Sequence, residues 1–269
     1  MNKLLALVLM LPISFTAGCA SIAQSVERAS LFHPKKELLA NPRSFGLEAQ
    51  DVFILSGENR IHGWFFPGEP DRMYVVYLHG NAENISSALG LVASLRPQRL
   101  NVLLIDYRGY GKSQGEPSVE GIVEDATAAV DWVMERQPPQ GKIALWGRSL
   151  GVAAALGAAQ NRPNITGVVL ESGFTSLRSI ARHHAPYILS FLVRDKLDNL
   201  AAVSTLAMPK LIIHGGKDEV IPFSHGEELY EKALGPKDFY PIPQAGHNDL
   251  QIRGAGEYLG RITSWLNSL

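Results

Sequence analysis

Short continuous apolar runs recur along the chain from residue 52 onward, and segments with helical periodicity separate several of them. Such runs are typical of strands buried on both faces of a parallel sheet. Between the first two runs stands Gly57-Glu58-Asn59, which predicts a hairpin. The predicted strands are 52–55, 61–66, 73–78, 102–105, 143–146, 168–170, 211–213 and 239–242.

Helices are predicted at 119–134, 152–159 and 258–266. In the first of these, Ile122, Ala126, Val130 and Val133 share one face, as in a helix packed on a sheet. The alternation of strand and helix predicts an α/β fold, a mostly parallel sheet with helices on both faces. Ligands of such sheets bind outside the carboxyl ends of the strands.

The amino-terminal 19 residues predict an export signal. One lysine precedes an apolar stretch, and small residues follow it before Cys19, the only cysteine of the chain. These small residues resemble the lipobox of bacterial lipoproteins, which implies cleavage before Cys19 and a lipid on its thiol. The resemblance implies a membrane contact through this lipid and a place in the cell envelope. The two residues after Cys19 are Ala20 and Ser21 and include no aspartate, which favours the outer membrane. An ordinary secretory signal is the alternative.

The domain boundaries follow from these patterns. We expect a signal peptide over 1–18, a tether over 19–50 and one domain over 51–269. The longest break in the alternation, 175–209, is long enough for one or two helices and predicts a small lid. The net charge of −1 gives no electrostatic basis for binding nucleic acid.

The segment Gly147-Arg148-Ser149-Leu150-Gly151 matches G-x-S-x-G. In this motif the serine occupies a strained turn between a strand and a helix, so that the flanking positions require glycine. The predicted strand before it and the predicted helix after it provide this context. Ser149 is therefore the candidate nucleophile.

A serine hydroxyl needs a base, and the base needs an orienting carboxylate. In this fold the acid and then the histidine follow the serine along the chain. Asp218 lies in the loop after strand 211–213, and His247 lies in the loop after strand 239–242. Glu171, directly after strand 168–170, is the alternative acid.

Acyl transfer also requires donors for the oxyanion. The backbone N–H of Leu150, next to the nucleophile, is one candidate, and that of Asn81 in His79-Gly80-Asn81 is the other. No histidine spacing matches a metal-binding motif. The glycines around Gly111 lack the spacing of a nucleotide-binding loop, so we expect neither a metal nor a cofactor.

Taken together, these motifs resemble one branch of the α/β-hydrolase superfamily, in the same order and at the same strand ends. Besides the motifs above, the resemblance rests on Asp106-Tyr107-Arg108-Gly109-Tyr110-Gly111 and Gly246-His247-Asn248. It covers residues 51–269. The branch includes enzymes that remove fatty acyl groups from protein cysteines and bacterial hydrolases called serine aminopeptidase-like. It implies an eight-stranded sheet and supports Ser149, Asp218 and His247 as the triad.

These features predict a serine hydrolase that cleaves carboxylic esters or thioesters of a small or acylated substrate. A peptidase that acts on short peptides is the alternative within enzymes. A non-catalytic envelope lipoprotein that keeps the fold as a binding module is the alternative outside them. The complete set of nucleophile, acid and base argues against this last reading.

Overall fold

The computed structural model describes residues 31–184 and 197–269. The chain divides into two compact units, Met1–His33 and Pro34–Leu269, and the second unit contains the whole sheet. The predicted signal peptide over 1–18 and Cys19 lie outside the described residues. The centre of the predicted lid, 185–196, lies outside them too. The export signal, the lipid anchor and the lid therefore stay predictions.

Eight strands form one sheet in the order β1-β2-β4-β3-β5-β6-β7-β8. The pairs β1–β2 and β2–β4 are antiparallel, and all other neighbouring strands are parallel. The strands are β1 Gln50–Ser56, β2 Asn59–Phe66, β3 Tyr74–Leu78, β4 Asn101–Ile105, β5 Ile143–Arg148, β6 Gly167–Glu171, β7 Lys210–Gly215 and β8 Lys237–Ile242. The predicted mostly parallel sheet is confirmed, with each predicted strand within two residues of its observed bounds.

The α-helices of the described residues cover both faces of this sheet. Helices α1 and α7 pack on each other over one face, while α2 and α3 pack on each other over the opposite face. They are α1 Leu89–Leu95, α2 Val119–Met134, α3 Leu150–Asn161, α4 Leu177–His184, α5 Asn199–Thr205, α6 Phe223–Lys232 and α7 Leu250–Ser268. Within residues 31–184 and 197–269, no helix combines the length and the apolar character needed to cross a membrane.

The core explains the apolar runs of the sequence. All residues of β3, β4 and β6 are buried, because helices cover these strands from both sides. On the face under α1 and α7, the rings of Tyr77 and Trp146 meet edge to face with their centroids 5.8 Å apart. Each fully buried large side chain of such a core stabilises the fold by about 1.5–3 kcal/mol.

The described end of the predicted tether lies against the domain. The Lys35 carbonyl oxygen accepts hydrogen bonds from the Gly111 N–H and from the Asn84 side-chain amide, at 2.9 and 3.1 Å. The same amide also donates to the Glu37 carbonyl oxygen at 2.7 Å, and Leu47 is buried. From Pro34 onward the chain is therefore part of the compact unit that contains the sheet.

A buried lysine joins two helix ends to the sheet at the beginning of β7. The Lys210 ammonium donates to the carbonyl oxygens of Leu206, Met208 and Leu234 at 2.6–2.8 Å. Leu206 directly follows α5, and Leu234 lies two residues after the end of α6. Helix ends leave carbonyl groups without intrahelical partners, so one cation satisfies acceptors at both ends.

We predict that Lys210→Met lowers the free energy of unfolding by about 3 kcal/mol, because three carbonyl groups lose a charged donor. Lys237→Met is the matched control, since Lys237 is only half-buried and its ammonium donates to a single carbonyl oxygen, that of Glu231. The control is expected to change stability by less than about 1 kcal/mol. Urea denaturation measures both. Equal losses in the two variants would contradict the role assigned to Lys210.

Candidate active site

The predicted nucleophile, acid and base meet at one edge of the sheet. Ser149 follows β5, Asp218 lies in the loop after β7, and His247 lies in the loop after β8. These three strands are parallel members of the sheet, so their carboxyl ends lie on the same side. Residues separated by up to 98 positions thereby come into hydrogen-bonding range.

Ser149 has the backbone conformation of a strained turn. Its φ is 53° and its ψ is −114°, a region that side chains other than glycine rarely enter. A conformation of this kind costs on the order of 1–3 kcal/mol and persists only where the surroundings impose it. Here the Ser149 N–H donates to the Glu171 carbonyl oxygen at 2.8 Å, and the Val152 N–H donates to the Ser149 carbonyl oxygen at 3.0 Å.

The two glycines of the motif are required by backbone contacts. A Cβ atom on Gly151 would overlap the carbonyl oxygen of Leu78 at the end of β3, and one on Gly147 would overlap the carbonyl oxygen of Gly151. The predicted need for minimal side chains two positions either side of Ser149 is met at both positions. Helix α3 therefore begins immediately after the serine and in direct contact with the sheet.

The three side chains form a continuous hydrogen-bonded chain. His247 Nε2 lies 3.1 Å from Ser149 Oγ, and His247 Nδ1 lies 2.8 Å from Asp218 Oδ2. When Nδ1–H donates to the carboxylate, Nε2 is the acceptor that faces the serine hydroxyl. This arrangement can take a proton from Ser149 and stabilise the charge that then develops on the imidazole ring.

Asp218 is buried and held by several donors. Its Oδ1 accepts from the N–H groups of Val220 and Ile221 at 2.9 and 2.7 Å. Burial raises the pKa of the Asp218 carboxyl, but the hydrogen bonds from His247 and Ile221 outweigh burial and hold this pKa below its ordinary value. The carboxylate is thus ionised and fixed in direction on the side that faces His247.

Glu171, the alternative acid, has other partners. Its Oε2 accepts from Trp146 Nε1–H at 2.9 Å and from the Tyr258 hydroxyl at 2.8 Å, and its Oε1 lies 3.4 Å from Arg148 Nε. The histidine nitrogen Nδ1 is bonded to Asp218 instead. The geometry therefore favours Asp218 over Glu171 as the carboxylate that orients His247.

The segment 79–84, here called the oxyanion loop, lies beside the serine. A Cβ atom placed on Gly80 would be 3.4 Å from Ser149 Cβ, which is van der Waals contact. His79 Nδ1 lies 2.7 Å from the Gly80 carbonyl oxygen, and the hydroxyl of Tyr110 donates to Asn81 Oδ1 at 2.7 Å. In a trans peptide the carbonyl group and the next N–H point in opposite directions, so the bond from His79 fixes the direction of the Asn81 N–H.

A buried carboxylate supports this loop from behind. Asp106, at the end of β4, accepts from the Ile85 N–H at 2.9 Å, and the same oxygen lies 3.5 Å from His79 Nε2. Burial raises the pKa of Asp106, but the neighbouring His62 and His79 outweigh burial and lower this pKa. Asp106 therefore lies directly behind the imidazole that contacts the Gly80 carbonyl group.

The other predicted donor is the N–H of Leu150. Leu150 is the first residue of α3, and N–H groups in the first turn of a helix have no acceptor within the helix. Such groups favour negative charge at the helix start. The position next to Ser149 is the one required of an oxyanion donor.

The segment 175–209 is described only in part. Helices α4 and α5 lie within it, and a short antiparallel bridge joins Ser176 to Asp198. Asn199 Nδ2 also donates to the Phe174 carbonyl oxygen at 2.8 Å. The described chain before 185 and after 196 is thus joined at Ser176 and Asp198, and the centre of the predicted lid lies outside the described residues.

The chain is similar in sequence to a known family and to proteins of other organisms. Residues 69–200 match the family described as serine aminopeptidase, S33. The chain is 32% identical over 255 residues to an uncharacterized protein of Mycobacterium tuberculosis, covering 93% of this chain and 90% of that protein. It is 30% identical over 240 residues to the alpha/beta hydrolase domain-containing protein WAV2 of Arabidopsis thaliana, covering 81% and 78%.

Among solved structures, the Pyrococcus furiosus esterase Pf2001 is similar in fold. Its TM-score is 0.76 at 21% identity, and the match covers 88% of this chain and 97% of the esterase. The chain therefore belongs to the α/β-hydrolase superfamily, and the predicted α/β-hydrolase fold is confirmed. It is an enzyme of the hydrolase class.

Several residues that support the site received no role in the sequence analysis. Arg148, Glu83 and Tyr110 contact the loops that carry Ser149, His247 and Asn81. Arg148 was visible as a charged residue at the end of an apolar strand, directly before the candidate nucleophile. Its partners were not visible, because they come from three other segments of the chain. Within residues 31–184 and 197–269, no cluster of acidic, histidine or cysteine side chains could hold a metal ion.

We predict that Gly151→Ala lowers the free energy of unfolding by about 2–3 kcal/mol, because the new methyl group overlaps the Leu78 carbonyl oxygen. The turn at Ser149 would shift with it, so hydrolysis should be lost as well. Gly260→Ala is the control, since a Cβ atom there meets no neighbour on helix α7. It should stabilise the protein by up to about 1 kcal/mol. A Gly151→Ala variant with normal stability and normal hydrolysis would disprove the packing argument.

Proposed function

We propose that this hydrolase cleaves carboxylic esters or thioesters through an acyl-enzyme on Ser149. The observation that carries the proposal is the hydrogen-bonded chain from Ser149 through His247 to Asp218, built on the strained turn at the serine. A side chain held in this turn and facing a base is poised for nucleophilic attack. The similarity in fold to an esterase supports the same reaction class.

The proposed reaction has two halves. In the first, His247 takes the Ser149 proton while Oγ bonds to the acyl carbon, and the oxyanion accepts hydrogen bonds from the N–H groups of Asn81 and Leu150. The imidazolium then gives its proton to the leaving alcohol or thiol as the bond to it breaks. In the second half, His247 takes a proton from water, which attacks the acyl carbon, and the imidazolium returns that proton to Ser149 Oγ as the bond between Oγ and the acyl carbon breaks and the acid is released.

A peptidase that acts on short peptides is the second candidate. The description of the matched family, serine aminopeptidase, favours it. The same site would attack an amide, and His247 would protonate the leaving amine. Acyl esters, acyl thioesters and aminoacyl anilides offered at equal concentration separate the candidates by their kcat/KM. Higher values for the anilides would replace the esterase proposal with the peptidase.

Labelling tests the nucleophile. A fluorophosphonate probe, which reacts with activated serines, should label the protein, and Ser149→Ala should abolish the label because the attacking oxygen is gone. Ser94→Ala, an exposed serine on α1, should label as the unaltered chain does. Retained labelling in Ser149→Ala would remove Ser149 from the mechanism. Absence of labelling in the unaltered chain would favour a non-catalytic binding module.

The acid is tested by comparing two carboxylates. Asp218→Asn should lower kcat by about 10⁴-fold, because the amide no longer stabilises the imidazolium or selects the tautomer of His247. Glu171→Gln should cost at least about 100-fold less, since Glu171 is bonded to Trp146 and Tyr258. Steady-state kinetics with a p-nitrophenyl ester measures both. The reverse order of losses would make Glu171 the acid.

A further inference from the structure

The guanidinium group of Arg148 contacts the oxyanion loop, the loop that carries His247, and Glu171 at the end of β6. Its Nη2 donates to the His247 carbonyl oxygen at 3.1 Å and to Asn248 Oδ1 at 2.8 Å. Its Nη1 is paired with Glu83 in the oxyanion loop, and its Nε lies 3.4 Å from Glu171 at the end of β6. We call these four residues and the His247 carbonyl group the Arg148 network.

Glu83 connects Arg148 to the backbone of Gly80 at the start of the oxyanion loop. Its Oε1, the oxygen that is paired with Arg148, also accepts from the Gly80 N–H at 2.9 Å. Its other oxygen accepts from the Ser87 hydroxyl at 2.8 Å. Gly80 is therefore held at its N–H by Glu83 and at its carbonyl group by His79. Arg148 thus reaches the segment that presents the Asn81 N–H.

Glu83 and Arg148 carry opposite charges, which stabilise their contact. Burial raises the pKa of Glu83, but Arg148 and His79, together with the hydrogen bonds from Ser87 and Gly80, outweigh burial and lower this pKa, so Glu83 is an ionised acceptor. Burial lowers the pKa of Arg148, but the nearby carboxylates of Glu83 and Glu171, with Tyr77 and Tyr258, together outweigh burial, so this pKa is raised and the guanidinium stays charged. A planar guanidinium can donate in three directions at once from a fixed geometry, whereas a lysine ammonium cannot span the same acceptors.

We infer that Arg148 is a positioning residue that holds the oxyanion loop and the loop of His247 in register with the nucleophile. It lies next to Ser149 in the chain, so movement of the serine, of the base and of the oxyanion donor is restrained by one group. The inference rests on the proposed function, because it assigns Arg148 a role in the reaction of Ser149. A misplacement of reacting groups by about 1 Å can cost on the order of 100-fold in rate.

A cavity beside the network makes this inference testable by chemical rescue. It has a volume of about 300 Å³, and Arg148, Glu83, Glu171, Asn248 and Tyr258 line it together with apolar side chains of α1 and α7. The triad side chains are not among the described residues that line it. Removal of the arginine side chain would extend this space, so free guanidinium ions could occupy the position of the lost group without blocking Ser149.

The experiment compares Arg148→Lys and Arg148→Ala with Arg108→Lys. Arg108 is the matched control, because its guanidinium is equally enclosed and binds Asp125 at 2.8 Å and Glu124 at 2.8 Å on helix α2, and among the described residues none of its hydrogen bonds reaches the oxyanion loop or the loop of His247. Arg148→Lys should lower kcat for a p-nitrophenyl ester by about 10- to 100-fold with little change in KM. Arg108→Lys should keep its kcat at a temperature where all variants are folded.

Millimolar guanidinium chloride should restore much of the kcat of Arg148→Ala, and ammonium chloride at the same ionic strength should not. If Arg148→Ala does not fold, Arg148→Lys decides the inference. A folded Arg148→Lys variant with unchanged kcat would overturn it, and so would an equal loss in Arg108→Lys. Equal rescue by ammonium would also contradict a requirement for the planar group.

A second measurement is independent of catalysis. Amide hydrogen exchange of Gly80 and of residues 246–249 should become faster together in Arg148→Lys and remain unchanged in Arg108→Lys. Unchanged exchange in Arg148→Lys would overturn the inference even if kcat is lowered in this variant. If the unaltered chain neither hydrolyses esters nor takes the fluorophosphonate label, the proposed function fails, and the exchange data still decide whether Arg148 positions the two loops.

Discussion

The close approach of helix α3 to the end of β3 is the constraint on which the site depends. Gly151 lies where any side chain would meet the Leu78 carbonyl oxygen, and Gly147 lies against Gly151. With the helix start fixed against the sheet, the chain has only the turn at Ser149 in which to change direction. The positive φ of Ser149 is the result. The same turn puts the first free N–H of the helix beside the serine hydroxyl.

Several acidic side chains share one end of the sheet, and different donors bind each of them. In the described part of the chain, Asp218, Glu171, Asp106 and Glu83 are all largely enclosed near this end. Carboxylates without donors in such a place would raise one another's pKa. Each instead has its own donors: His247 for Asp218, Trp146 and Tyr258 for Glu171, the Ile85 N–H for Asp106, and Arg148 for Glu83. This distribution leaves His247 with one acid.

The sequence predicts the parts of this structure whose signals are local. Runs such as 102–105 reflect burial on both faces, and the spacing of Gly147, Ser149 and Gly151 reflects backbone contact at a single turn. Chain order alone is enough to propose Asp218 and His247. Helix α1 was not predicted, because its seven residues are too few for a helical period to stand out.

The supporting contacts of the site could not be predicted for a different reason. The bond between Arg148 and Glu83 joins positions 65 residues apart, and the bond from Arg148 to the His247 carbonyl group joins positions 99 apart. Their existence depends on the order of strands in the sheet, which no spacing along the chain records. The choice between Asp218 and Glu171 likewise required the positions of Trp146 and Tyr258, which occupy the Glu171 carboxylate.

The position of His247 along the chain has a consequence for biosynthesis. His247, the proposed base, stands 98 residues after Ser149 and reaches the sheet edge only with β8, the last strand in chain order. A nascent chain that has already formed the turn at Ser149 therefore still lacks His247, the proton acceptor of the proposed reaction. In the proposed reaction, proton transfer from Ser149 can begin only when β8 is paired with β7, so a partly synthesised chain would hold Ser149 in its turn without a base. Completion of the sheet is therefore the folding step that brings His247 to Ser149.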